Sequence, residues 1–390
     1  MSIFLLLLSG LALIPFAIWP GFDTRVPKMA LALGFALALG LAGIYQGKLK
    51  PIRNKWLLFL IGFLLINIWL CPKPTVHFLD MNVSGFWVWQ PLAYILIFFL
   101  MFITLSSIDF DDKHKDIIFK VMSWCGFVMA IYCIVQSLNI DQFYNLAIKD
   151  EIRFIPSANI TGTMGQPTIV SPFIAMIIPI ALYLKRYWFV LIMGIAVLLT
   201  RSQVAIGAMI LSLLFLYSLK NKKTFIRTGI LFLIIIALSI TAYFSNPKIK
   251  SLVKDSGRFE NWQQIIKDVN SPLAPEVKNR YPFTGLGIGS FKYIYHIKNH
   301  NTFWQAHNEY LEIPYNIGII GLFLFLMALW VIIKDNLFKD RYRRYLLASF
   351  ICIAICAGGT FVWQMGPHLY YSIGILGLLN NKGVNNVIRI

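Results

Sequence analysis

Charge is what this chain has least of. Charged residues fill 13% of its 390 positions, about half the share of a soluble domain. Acid is the scarcer sign, with 17 Asp and Glu against 35 Lys and Arg. With 58% hydrophobic residues and a mean hydropathy of +0.69, the chain has more apolar surface than a water-soluble core of this size can hide, which excludes an ordinary soluble fold. Cysteine is scarce too. Cys71, Cys125, Cys133, Cys352 and Cys356 lie in or beside apolar stretches without metal-ligand spacing, which reads as core thiols and neither a disulfide scaffold nor a zinc module. No internal repeat is evident, and ionisable residues are nearly missing from the middle of the long apolar runs. That second absence argues against a charged transport route through a bilayer.

What is there is a series of apolar runs near the roughly 17–25 residues that cross a membrane. They fall at about 2–19, 29–46, 56–71, 87–108, 117–139, 168–184, 187–200, 203–219, 229–245, 310–333, 345–362 and 366–381. The first has no basic residue before it and runs into Pro20 and Gly21, so it is expected as a retained helix and not a cleaved signal. The pair around Arg201 nearly touches and reads as two short spans or one kinked, re-entrant unit. The charge of +18 then has a topological reading before a nucleic-acid one. If the N-terminus is cytoplasmic, twenty Lys and Arg fall in inner segments and six in the short outer loops. This asymmetry predicts an all-α polytopic membrane protein with about twelve transmembrane helices and both termini cytoplasmic. The chain divides into helices 1–9 over 1–245, one large outer loop over 246–308, and helices 10–12 with a short cytoplasmic tail over 309–390.

Polar chemistry gathers in the outer loops. Ser256 to Asp268 (SGRFENWQQIIKD) puts Phe259, Trp262, Ile265 and Ile266 on one helical face, the pattern of an amphipathic helix at a membrane surface. Arg258 opens it. Its planar fork suits phosphate oxygens beside free helix amides, and it equally suits a cation reaching toward lipid headgroups. Further on, His307, Asn308, Glu309 and Glu312 sit where loop becomes membrane helix. An imidazole there can take a proton from a hydroxyl near neutral pH, with a carboxylate to orient it. His296 and His300 are further candidates, but these spacings match no compact zinc pattern. The run GLGIGS has no strand before it and no crossover unit after it, so its glycines read as a tight turn and not a nucleotide loop.

Five segments, in order, resemble the bacterial O-antigen ligase and O-antigen polymerase superfamily, which includes protein O-oligosaccharyltransferases. ITGTMGQPTIVSPFIAMIIPIAL (Ile160 to Leu182) resembles the Gly-Thr-rich start of its middle span, and LLTRSQVAIGAM its Thr-x-Ser-Arg helix start. SGRFENWQQIIKD resembles its Ser-Gly-Arg-x-x-x-Trp loop helix, PFTGLGIGSF its Gly-rich turn, and HNEYL its His-Asn-acidic motif. Three departures stand out. Gln203 occupies the family's Arg position with Arg201 two residues earlier, Asn270 to Arg280 looks like an insertion, and Asn316-Ile317 replaces an acidic residue. The resemblance covers about 155–330 and implies a GT-C-like fold with a partly helical periplasmic loop. It also implies a metal-independent glycosyltransferase of the bacterial inner membrane, without cofactor, that moves a glycan from undecaprenyl diphosphate to a hydroxyl of lipid A core, another glycan or a protein. On this resemblance His307 is the general base, supported by Asn308 and Glu309, and Arg258, Arg280 and Arg201 contact the diphosphate. Membrane lipid is the other expected partner, and nucleic acid is not one. The rival from another class is a twelve-span transporter or flippase with the basic outer loop as a lid.

Overall fold

The computed structural model describes residues 2–18, 25–51, 54–70, 77–78, 81–82, 86–138, 160–230, 234, 245, 261–263, 265–266, 281–285, 287, 291 and 306–381. These residues are overwhelmingly helical. In chain order the elements are α1 (Ile3–Leu13), α2 (Arg25–Tyr45), α3 (Lys55–Leu70), β1 (His77–Phe78), β2 (Met81–Asn82), α4 (Phe86–Ser107) and α5 (Asp112–Ser137). There follow α6 (Pro167–Tyr183), α7 (Tyr187–Leu199), α8 (Gln203–Ser218), the single turn α9 (Tyr281–Thr284), α10 (Glu309–Asn336), α11 (Arg341–Ala357) and α12 (Gly366–Asn380). Among the described residues the only sheet is the two-residue antiparallel ladder of β1 and β2.

Helices occupy eleven of the twelve apolar runs, and the run at 229–245 lies mostly outside the described residues. Three of the helices are long and apolar enough to cross a membrane: Val26–Tyr45, Asp112–Ser137 and Glu309–Asn336. Others, such as Pro167–Tyr183 and Tyr187–Leu199, are apolar but shorter. Continuous apolarity selects helix here because only a helix satisfies its own backbone groups without water. The ends are set by more local chemistry. Run 2–19 gives helix only to Leu13 and then a 3-10 turn at Ile14–Phe16, since Pro15 lacks the N–H that would continue the ladder. α5 starts before its apolar run because Asp111 accepts from His114 N at 2.7 Å. The same bond, with the His114 ring, holds the Asp111 carboxyl below the usual carboxylate range. Its stabilising contribution is therefore present at neutral pH and lost as pH falls through that lowered value. Asp340 caps α11 in the same way, accepting from Arg343 N at 2.9 Å. Asp340→Ala is expected to lower stability in detergent by about 1 kcal/mol, read from the thermal unfolding midpoint.

The chain packs as two compact units, Met1–Arg53 with Leu92–Ser212 and Ile332–Ile390, and Asn54–Pro91 with Leu213–Val331. These interleave along the chain. In the first unit α6 is the axis. Ile169 to Ala181 are buried all round, as a helix apolar on every face requires, and α5, α7 and α11 pack on it. α12 packs on α2, α11 and α1. Gly10 brings α1 against the Tyr370 ring, and Gly377 brings α12 against Leu105, the small-residue contacts by which apolar helices approach closely. Cys125, Cys133, Cys352 and Cys356 are buried free thiols. Outer helix faces carry large apolar groups in the open, among them Leu41, Trp188 and Leu198. In water such surface aggregates, whereas in lipid it is the ordinary state.

In the second unit two asparagines tie α3 to its surroundings. Asn54 caps α3 by accepting from Trp56 N and Leu57 N, and its Nδ2 donates to Ala328 O of α10 at 3.0 Å. At the other end of α3 the fully buried Asn67 donates to Thr284 O in α9. α3 thereby runs along α10 and ends beside the Gly-rich turn that follows α9.

Candidate functional site

The start of α10 gathers the sequence-identified His, Asn and Glu residues. Asn308 accepts from Tyr310 N at 3.0 Å through Oδ1, and its carbonyl accepts from Leu311 N and Glu312 N. Asn308 is therefore the helix cap, a role asparagine fills well outside helical φ/ψ. Glu309 and Glu312 occupy the first turn, where carboxylates favour the positive end of the helix dipole. Both are buried, at 6% and 7% exposure.

Ala306, two residues before the cap, is held from two sides. Glu312 reaches back so that Oε1 accepts from Ala306 N at 2.7 Å, and the Trp262 indole donates to Ala306 O at 2.7 Å. Ala306 is fully buried in a cluster with Ile265, Phe291 and Tyr315, flanked by Trp262 and Leu311. With Ala306 immobilised and α10 capped at Asn308, His307 between them takes a left-handed backbone, φ 52°. Histidine tolerates that region better than most residues, and such conformations persist where the surroundings over-determine them. His307 is half-buried. Glu312→Ala orphans a buried N–H and is expected to cost about 1–3 kcal/mol, whereas Glu312→Gln keeps the acceptor and Trp262→Phe loses about 1 kcal/mol. Denaturation of each variant in detergent checks the order.

The Gly-rich turn docks on the same helix. Gly285 and Gly287 have φ 75° and 113°, values that favour glycine, as the tight-turn reading expects. Gly287 N donates to Asn316 O at 2.8 Å, and Phe291 N donates to Asn316 Oδ1 at 2.9 Å. α10 is interrupted beside that residue by Gly318, with φ 69° and ψ −179°. A Cβ at Gly318 would collide with Phe283 O and Thr284 N. The turn thus fills the break, and the T-shaped contact of Phe291 with Tyr315 at 5.0 Å joins it to the Ala306 cluster. Asn316, which stands where the resembled family has an acid, is the residue that seats the turn. Its signal in sequence was an amide two residues before a glycine inside an apolar run. Asn67 is likewise an amide inside an apolar run, without the glycine.

His307, Asn308, Glu309, Glu312 and Trp262 therefore form one cluster in the second unit. Arg201 belongs to the first unit. It is exposed, in the Thr200–Ser202 turn between α7 and α8, and it too is left-handed, φ 54°. That turn is braced by Thr200 Oγ1 donating to Val197 O at 2.6 Å, and it separates two distinct helices where the sequence left one kinked unit open. Arg258, Arg280, His296 and His300 lie outside the described residues. Among the described residues no group of three His, Cys, Asp or Glu is arranged to hold a metal ion. The chain matches no protein-family model and no curated protein.

Proposed function

We propose that this chain is an inner-membrane glycosyltransferase of the O-antigen ligase type, with about twelve spans, a GT-C-like periplasmic loop and both termini in the cytoplasm. It transfers a glycan from undecaprenyl diphosphate to a hydroxyl on lipid A core, with another glycan or a protein as the alternative acceptor. The observation that carries the reading is the half-buried His307, held left-handed beside a doubly bonded Ala306 and the buried carboxylates Glu309 and Glu312. A base needs a fixed ring with one face open. The order of motifs along the sequence supplies the rest of the reading.

In the reaction the His307 imidazole takes the acceptor hydroxyl proton as that oxygen bonds to the anomeric carbon of the donor. The bond from that carbon to the diphosphate breaks, and undecaprenyl diphosphate leaves with the electron pair. Glu309 stabilises the imidazolium, and Arg258 and Arg280 neutralise the departing diphosphate. Fixed guanidinium groups do this without reorganisation. The test is a transfer assay with purified protein in lipid, given undecaprenyl-diphosphate-linked glycan and lipid A core. One glycan joined to core, with loss on Arg258→Ala, supports the ligase reading. Glycan ladders without core move the assignment to polymerase, and no transfer to any hydroxyl overturns it in favour of a transporter.

A further inference from the structure

The turn between α6 and α7 carries a cation that the chemistry above does not use. α6 closes with Arg186 N donating to Ala181 O and Lys185 N to Leu182 O, both at 3.0 Å, and Lys185 left-handed at φ 58°. This is the usual helix stop with a cation where glycine is common. It sets Arg186 at the start of α7, its guanidinium carbon 5.5 Å from the Trp124 ring centroid and 4.9 Å from that of Phe189. Phe127 stacks on Phe189 at 3.9 Å, and Trp124 meets Phe189 edge-on at 4.8 Å. The arginine therefore rests on two rings, Trp124 and Phe189, with Phe127 stacked behind the second. Its Nη1 is shielded from water and without a hydrogen-bond partner among the described residues. Among the described residues no ion pair neutralises this guanidinium.

The carboxylates that act on Tyr183 at this end of α6 are each paired with a cation, Asp112 with Lys115 at 3.2 Å, Asp116 with Lys120 at 2.5 Å and Asp340 with Arg343 at 3.5 Å. A second cation adds to the same end of α6, since Arg341 Nη2 donates to Tyr183 O at 3.1 Å. The charge is thus positive and in excess. What lies beside it is apolar. Trp188, Leu191, Ile195 and Leu198 on α7 are exposed by 76%, 51%, 42% and 55% and share one helical face. At about 1.5 Å per residue that ladder is roughly 15 Å long, half the hydrocarbon thickness of a bilayer at about 30 Å. An occupant that satisfies the guanidinium and also covers the ladder has an anionic head and an acyl tail. Free phosphate or an acidic protein segment would leave the ladder bare.

We propose that the α6–α7 turn is a binding site for an anionic phospholipid of the inner leaflet, with its phosphate on Arg186 and an acyl chain along Leu191 and Ile195. Arg341 strengthens the local field, and the aromatic platform keeps the guanidinium fork aimed at the headgroup. This rests on the helices crossing a membrane with the α6–α7 turn on the cytoplasmic side, as in the proposed topology, and does not depend on the transferase chemistry.

The full chain, purified in detergent, is examined by native mass spectrometry with phosphatidylglycerol or phosphatidylcholine of the same acyl chains. Phosphatidylglycerol is expected to be retained in preference, and Arg186→Gln is expected to weaken its retention roughly tenfold, the effect of one charge-assisted bond. Lys222→Ala leaves retention unchanged, and glycerol phosphate does not displace the lipid. Equal retention of the two lipids by the unaltered chain overturns the proposal whether or not the variant folds. Unchanged retention in a monodisperse Arg186→Gln protein, or displacement by glycerol phosphate, overturns it too.

Discussion

Replacing His307 by asparagine is expected to abolish glycan transfer while leaving the fold intact. Asparagine accepts the left-handed backbone that His307 adopts, φ 52°, at little cost, so the Ala306 anchor and the Asn308 cap persist. What it removes is the titrating ring. Loss of a general base lowers turnover by roughly a hundred-fold to ten-thousand-fold, while the apparent affinity for the lipid-linked donor stays near that of the unaltered chain. The comparison with His307→Ala is informative, because alanine pays a strain penalty at positive φ and mixes instability with lost chemistry. Turnover within a factor of two in a folded His307→Asn protein would remove His307 from the reaction, and the base would have to be sought elsewhere in the loop.

Gly318→Ala is expected to be the most destabilising single methyl in the second unit. At φ 69° and ψ −179° Gly318 occupies a region that residues with a Cβ essentially avoid, and the added carbon would meet Phe283 O and Thr284 N. To relieve that contact the Gly-rich turn must leave the break in α10, releasing the bonds from Gly287 and Phe291 to Asn316. The combined loss is about 3 kcal/mol or more. It should appear as a large drop in unfolding midpoint and, because the turn shares Phe291 with the Ala306 cluster, as faster proteolysis near the loop. Gly34→Ala is the control. Gly34 is helical, with nothing within 4 Å of an added Cβ, so that change is neutral or raises stability by up to about 1 kcal/mol. Equal behaviour of the two variants would mean that the turn is not seated in the break.

Legibility from sequence differed sharply between the helices and the site. The run read at 366–381 appears as α12 (Gly366–Asn380) and the run at 56–71 as α3 (Lys55–Leu70), because apolar continuity is a local property that already decides for helix. The limits of α5 and α11 were less visible, since Asp111 and Asp340 lie outside the apolar runs they start. At the site, a histidine beside two glutamates at a loop–helix boundary was legible as a chemical constellation. Their division of labour was not. Asn308 turned out to cap a helix, Glu312 to hold Ala306, and Asn316 to seat a turn whose residues lie 25 and more positions away.

By itself, then, the sequence determined the helical character, the apolar exterior and the identity of the residues at the start of α10. Each of these follows from composition or spacing within a few turns of chain. Tertiary structure alone decided that α10 breaks at Gly318, that Trp262 and Glu312 meet at Ala306 from opposite directions, and that Arg186 stands on two rings from two helices. Those outcomes depend on hydrogen bonds and close contacts between segments far apart in the chain, and the energy of such a contact is set by geometry that no local pattern encodes.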